Sequence, residues 1–212
     1  MPAVSIFETL RQRVTKSNGL LPMEKRAMFW FKNYTTALGD WQRKWQSRSF
    51  DKLRQDTFSK EIVPPQAVEA GFLYFFLYLN PKGEKRLPYY DQFPFVLVLD
   101  AQPDSFLGLN FHYLDYVYRA MFFDALWPLR DNDPGTTDDR LIQLQATYDL
   151  LVSASKYKMF RPCIKRYIIS RVNSPLLKVG ASEWDVALFL PVESFVKEAK
   201  HTVWSESEDK FL

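Results

Sequence analysis

The sequence predicts an α+β protein: a small antiparallel sheet of about five strands with inserted helices, preceded by a basic helical N-terminal arm. Three observations predict it. Residues 1–60 carry apolar stripes at helical spacing, whereas residues from Gly71 onward fall into short aromatic runs separated by turn chemistry. Pro64-Pro65 stands between the two textures, and neither proline continues a helix. Aromatic content is high, with 18 Phe, 11 Tyr and 6 Trp, and such side chains favour strands and bury much area each. The expected division is an arm over residues 1–65 and a body over residues 66–212. A small barrel is one way for such a sheet to remove its exposed edges.

In the arm, Ser5 followed by Glu8 is a capping-box pattern. Ile6, Leu10 and Val14 continue it as a narrow stripe that Asn18-Gly19 and Pro22 break. A second helix is expected from Met23 to Leu38, ending at Gly39. Asp40 can cap a third, which carries Trp41, Arg43, Lys44, Trp45 and Arg48.

In the body, Gly71 to Leu79 reads as a long aromatic strand and Asn80-Pro81-Lys82-Gly83 as a turn. Phe95 to Leu99 and Phe106 to Tyr113 are the next two strands, joined by a turn at Pro103. Gly108 inside the third strand signals a bulge or a close approach of another backbone. A helix follows, with Leu114, Val117, Tyr118, Met121 and Ala125 on one side. Thr136 or Thr137 can cap another, whose stripe is Leu141, Leu144, Tyr148 and Leu151. Phe160 to Val172 reads as a helix with Pro162 in its first turn. Leu176 to Gly180 and Val186 to Leu190 read as strands. Pro191 opens a last helix with Val192, Phe195, Val196 and Ala199 on one face, before a frayed polar tail from Ser205.

No apolar run reaches the roughly 18–20 residues that span a bilayer. The start, MPAVSIFETLRQR, lacks a basic region followed by an apolar stretch, so no secretory signal is expected. Cys163 is the only cysteine, which excludes an intramolecular disulfide and fits a reducing compartment. Charge is unevenly spread. Residues 1–60 hold 12 Lys and Arg against 5 Asp and Glu, a net of +7 inside an overall +3. A basic arm on a mildly acidic body suits an anionic partner, either nucleic acid or an acidic protein surface.

Signatures of catalysis are nearly absent. HExxH, CxxC, GxSxG, P-loop and GxGxxG patterns do not occur. His112 would need a nearby carboxylate to act, with Asp91 or Asp115 as candidates, and a satisfied structural histidine is the preferred reading. Asp131, Asp133, Asp138 and Asp139 share one loop without the spacing of a calcium hand. A two-metal site draws its ligands from separate rigid elements, so this loop reads as solvated. No enzyme, cofactor or metal site is expected.

The basic elements are more informative. No acidic residue occurs between Asp149 and Glu183, an interval that holds Lys156, Lys158, Arg161, Lys165, Arg166, Arg171 and Lys178. If Phe160 to Val172 is helical, Ile164, Tyr167 and Ile168 face inward while Lys165 and Arg166 project outward. Convergent positive charge suffices for phosphate contact, and Tyr157, Phe160 and Tyr167 can stack on unpaired bases. The nucleic-acid candidates are therefore Lys156, Lys158, Arg161, Lys165, Arg166 and Arg171. Trp41 and Trp45 share a helical face in an arm with little core of its own. With Arg43, Lys44 and Arg48 they are the candidates for docking on a partner subunit.

Four stretches resemble a known family. LPYYDQFPFVLVLDAQPDSFLGLNFHYL runs from Leu87 to Leu114, LIQLQATYDLLVSASKYKMFRPCIKRYI from Leu141, EWDVALFLPVESF from Glu183, and KHTVWSES near the end. Together, in this order over roughly residues 70–207, they resemble the DNA end protector proteins of T-even-like tailed bacteriophages. The sequence departs from that pattern at Ser105, where glycine is expected, and at Asp115-Tyr116, where prolines are expected. The resemblance implies a virion structural protein assembled in the host cytoplasm. It would bind and protect the ends of packaged DNA, assist head completion or head-tail joining, and touch other virion proteins of that region but no membrane. A purely architectural neck, tail or baseplate subunit, contacting only other virion proteins, is the alternative.

Overall fold

The computed structural model describes residues 62–79, 81–126, 158–180, 184–188 and 192–209. Within them, eight strands and three α-helices are joined by short 3-10 turns. The helices and the sheet confirm the expected mixed class. The expected arm helices, the stripe from Leu141 to Leu151 and the Asp131 to Asp139 loop lie outside the described residues.

Six strands form one antiparallel sheet: β1 (Ile62–Val63), β2 (Leu73–Phe75), β4 (Phe95–Ala101), β5 (Ser105–Asn110), β6 (Ile164–Ile168) and β7 (Leu176–Val179). Their spatial order is β1-β7-β2-β4-β5-β6, with all neighbours antiparallel. The sheet is open, with β1 and β6 as its edges, so the expected barrel does not form. β3 (Tyr90–Asp91) and β8 (Phe195–Val196) make a separate two-stranded ribbon. β1 lies before Pro64-Pro65, so the sheet draws in residues from the N-terminal side of that break.

Both faces of the sheet are buried. On one, Leu73, Phe75, Phe95, Leu97, Leu109, Leu177 and Val179 cluster with residues of three helices: α1 (Tyr116–Leu126), α2 (Trp184–Leu188) and α3 (Lys200–Asp209). On the other, Tyr74, Phe76, Val96, Val98, Phe106, Tyr167 and Leu176 cluster together. Phe76 meets the rings of Phe106 and Tyr167 edge-on, at 5.5 and 5.1 Å, geometry that favours aromatic pairs. Gly108 pairs with Val98 across β4–β5, where the register shifts between Val98 and Asp100. A Cβ on Gly108 would run into Val96 Cγ1 and lie 3.1 Å from the Leu97 carbonyl oxygen, which explains the glycine.

Several expected elements differ. The ladder in the first aromatic run covers only Leu73–Phe75, because the Leu77 and Leu79 amides donate instead to Ser174 Oγ and Asn173 Oδ1. The expected helix from Phe160 to Val172 is a 3-10 turn (Lys158–Cys163), then β6, then a second 3-10 turn (Ile169–Arg171). Ile164, Tyr167 and Ile168 fit helical spacing, but a strand with apolar side chains packed on both faces shows no clean alternation. Here Ile164 packs on one cluster and Tyr167 belongs to the other. The strand expected from Val186 is helix α2. Phe195 and Val196, expected in a helix, pair with Asp91 and Tyr90. Lys197 then takes a left-handed backbone, φ 76°, and its Nζ donates to the Glu84 and Leu87 carbonyls at 2.7 and 3.0 Å. The expected frayed tail is largely helix α3, in which Ser207 is buried and donates to the Val203 carbonyl at 2.8 Å.

Candidate nucleic-acid interface

Within the acid-free interval, residues 158–171 run along one rim of the sheet, whereas β7 lies in its interior. Arg161 lies in the 3-10 turn that leads into β6, Lys165 and Arg166 lie on β6, and Arg171 closes the turn after it. Lys158 opens the first turn, while Lys156 lies outside the described residues, as do Trp41, Arg43, Lys44, Trp45 and Arg48.

Because the segment is a strand and not a helix, Lys165 and Arg166 do not project together. Their cross-strand partners, Gly108 and Leu107, lie on opposite faces, as alternation requires. Lys165 is half-buried, with its ammonium 4.3 Å from the centre of the Tyr113 ring. Lys178, on β7, sits 3.2 Å over the Phe72 ring. A cation over a ring face is attracted by the ring quadrupole, so both lysines are engaged within the fold. Arg166 is exposed, and its Nη1 is 3.3 Å from Ser105 Oγ. Arg161 and Arg171 are also exposed. None of these three arginines forms an ion pair with a described residue. Tyr167, expected as a stacking residue, is only 4 % exposed and so belongs to the core.

Behind the rim lies a second, buried polar group. The Asp91 carboxylate accepts Nδ2 of Asn110 at 3.0 Å, and its Oδ2 is 2.7 Å from His112 Nδ1. The Asn110 amide also reaches the Tyr167 hydroxyl at 3.1 Å. Of the two carboxylates expected near His112, Asp91 is therefore the partner. Asp115 instead accepts the Tyr118 amide at 3.0 Å, at the start of α1. His112 is fully buried and its Nε2 has no hydrogen-bond partner among the described residues. Cys163 is buried too, and burial pushes its thiol up to about 12, far from a reactive thiolate. Asp91 and His112 thus sit in the core with no activated thiol and no open surface.

One ion pair escaped the sequence reading. Arg119 on α1 is fully buried; its Nε donates to the Leu114 carbonyl at 2.8 Å, and its Nη2 is 2.5 Å from Glu193 Oε1. Neither Glu193 oxygen has an aligned hydrogen-bond partner among the described residues, so charge holds the contact. The Arg119 guanidinium also lies 4.8 Å from the Tyr116 ring and 5.5 Å from Trp204. The signal was present in the helix: Tyr116, Arg119, Ala120 and Phe123 are buried at i, i+3, i+4 and i+7. The expected stripe instead ran through Val117 and Tyr118, which are half-buried.

Among the described residues there is no cluster of metal-ligating side chains, and no helix is long and apolar enough to cross a membrane. No curated protein and no solved structure matches the chain. A family model described as Phage T4 terminal DNA protecting protein matches residues 11–207, nearly the whole chain. This agrees with the resemblance seen in the four sequence stretches and extends it into the N-terminal region, and the chain belongs to the phage T4 terminal DNA protecting protein family.

Proposed function

We propose that this chain binds the two ends of packaged phage DNA as a virion structural protein and shields them from exonuclease. Family membership across residues 11–207 carries the reading, since that family is described by terminal DNA protection. The exposed arginines beside β6 support it, because phosphate contact needs accessible positive charge and no particular base sequence. Held at a DNA terminus, the protein sits where a filled head meets its tail, and there it assists head completion and head-tail joining. Its other partners are virion proteins of that region. Trp41, Arg43, Lys44, Trp45 and Arg48 are the arm's contact with them, since Trp and Arg anchor interfaces. Assembly takes place in the host cytoplasm. The protein masks the DNA end and does no chemistry on it, so linear DNA incubated with it and a divalent metal stays intact.

The test is protection by the full-length chain. Linear duplex DNA should resist a processive exonuclease when the protein is present, and excess linear DNA should compete for binding better than closed circles of equal mass. Equal competition by circles, or an unprotected end, would overturn the reading and favour an architectural subunit that touches only protein.

A further inference from the structure

We infer that Arg161, Arg166 and Arg171 form a single phosphate-contacting row along the β6 rim, and that this row, not the body's other cations, holds the DNA backbone. The inference rests on the DNA-end reading and names the part of the molecule that performs it. Within residues 161–171, the exposed positions are Arg161, Arg166, Ser170 and Arg171, and nothing else. The apolar residues Cys163, Tyr167 and Ile169 are turned into the core. A protein-binding patch has an apolar or aromatic centre depleted of charge, which this rim lacks. A planar guanidinium suits the paired oxygens of a phosphate.

The other described cations differ. Arg119 is buried against Glu193, and Lys200 lies 3.9 Å from that same carboxylate. Lys197 is bonded to two backbone carbonyls. Lys165 and Lys178 lie over aromatic rings. Lys82, Lys85 and Arg86 are exposed, but they surround Glu84 in a different turn. The row has no acidic neighbour along its own stretch of chain, since the sequence holds none between Asp149 and Glu183; the carboxylate beside it is that of exposed Asp104, which Arg166 meets only through the Ser105 hydroxyl. At about 3.3 Å per strand residue and about 2.0 Å per residue in a 3-10 turn, the row extends up to roughly 25 Å. Phosphates on one DNA strand recur about every 3.4 Å along the axis, so each arginine meets a separate phosphate.

Two triple variants of the full chain remove the same charge from different places: R161A/R166A/R171A from the row, and K82A/K85A/R86A from the other turn. Binding to a short blunt duplex is followed by fluorescence anisotropy over a range of salt concentrations. The row variant should weaken binding by at least about ten-fold and lower the slope of log affinity against log salt by about 2.7, at about 0.9 per lost contact. The control should change the slope by less than about 1, and R161K/R166K/R171K should keep the wild-type slope. Unchanged unfolding midpoints would show that all variants fold. A wild-type slope in the row variant, or equal losses from both triples, would overturn the row while leaving DNA-end binding in place. No salt-dependent DNA binding by the wild-type chain would remove the functional reading itself. Row-dependent binding to polyglutamate without DNA binding would assign the rim to an acidic protein.

Discussion

Arg119 and Arg166 are the same side chain in opposite surroundings. Arg119 is enclosed by Glu193, the Leu114 carbonyl and the rings of Tyr116 and Trp204. Arg166 stands exposed at the sheet's rim, where it donates to the Ser105 hydroxyl, which in turn donates to the Asp104 carboxylate. The first spends its charge inside the molecule, where removing one partner leaves the other charge buried without its main counter-charge. The second leaves its charge available to whatever anion approaches. Sequence records both as Arg; enclosure and a directly paired carboxylate make one structural and leave the other exposed.

The largest effect should come from breaking the buried pair. Arg119→Ala leaves the buried Glu193 carboxylate without its main counter-charge, with only the more distant Lys200 ammonium at 3.9 Å, and should cost about 3–5 kcal/mol in chemical denaturation. A loss below about 1 kcal/mol, the range of exposed pairs, would mean that the pair does not clamp the segment before β8 onto α1. Next comes the floor beneath the row. Gly108→Ala forces a methyl group into Val96 and should cost about 1–3 kcal/mol. Adding Val96→Ala should return part of that loss, and no recovery would point to a backbone cause.

Acid sharpens the comparison further. Burial alone would raise the Glu193 carboxyl, but the charges of Arg119, His112 and Lys200 outweigh it and hold the group below its usual 4.5. A depressed folded-state value means that the ionised carboxylate stabilises the fold. That contribution is complete above the usual value and disappears as pH falls through the lowered one. Glu193→Gln should therefore flatten the acid limb of the stability profile; an unchanged limb would place the acid sensitivity elsewhere. The smallest effect belongs to the exposed partner in the comparison: Arg166→Ala should shift stability by no more than about 0.5 kcal/mol. A much larger loss in thermal unfolding would show that Arg166 serves the fold.

The legible parts of the sequence were those with one dominant local signal. The β4–β5 hairpin showed in two apolar runs around Pro103, and Gly108 announced a close approach that the Val96 side chain supplies. The Asp91–His112 contact was among the pairings expected. Residues 160–172 misled because Ile164, Tyr167 and Ile168 satisfy a helical period, and only the pairing with β5 reveals a strand. That error placed Lys165 and Arg166 on one side, whereas the pleat separates them. Phe195 and Val196 misled likewise, since their partners lie at Asp91 and Tyr90, over a hundred residues earlier. Arg119 was hidden because its burial depends on Glu193, more than seventy residues away. In each case the missing information was a long-range partner, which no local window contains.

Mapping where the DNA touches the chain tests the central claim most directly. A blunt duplex with a photoreactive group on its terminal phosphates would be cross-linked to the full-length protein, and the attached peptides identified by mass spectrometry. The account predicts adducts concentrated in residues 158–171. Adducts confined to residues 1–60, with none along the β6 rim, would contradict it and assign the DNA end to the N-terminal region.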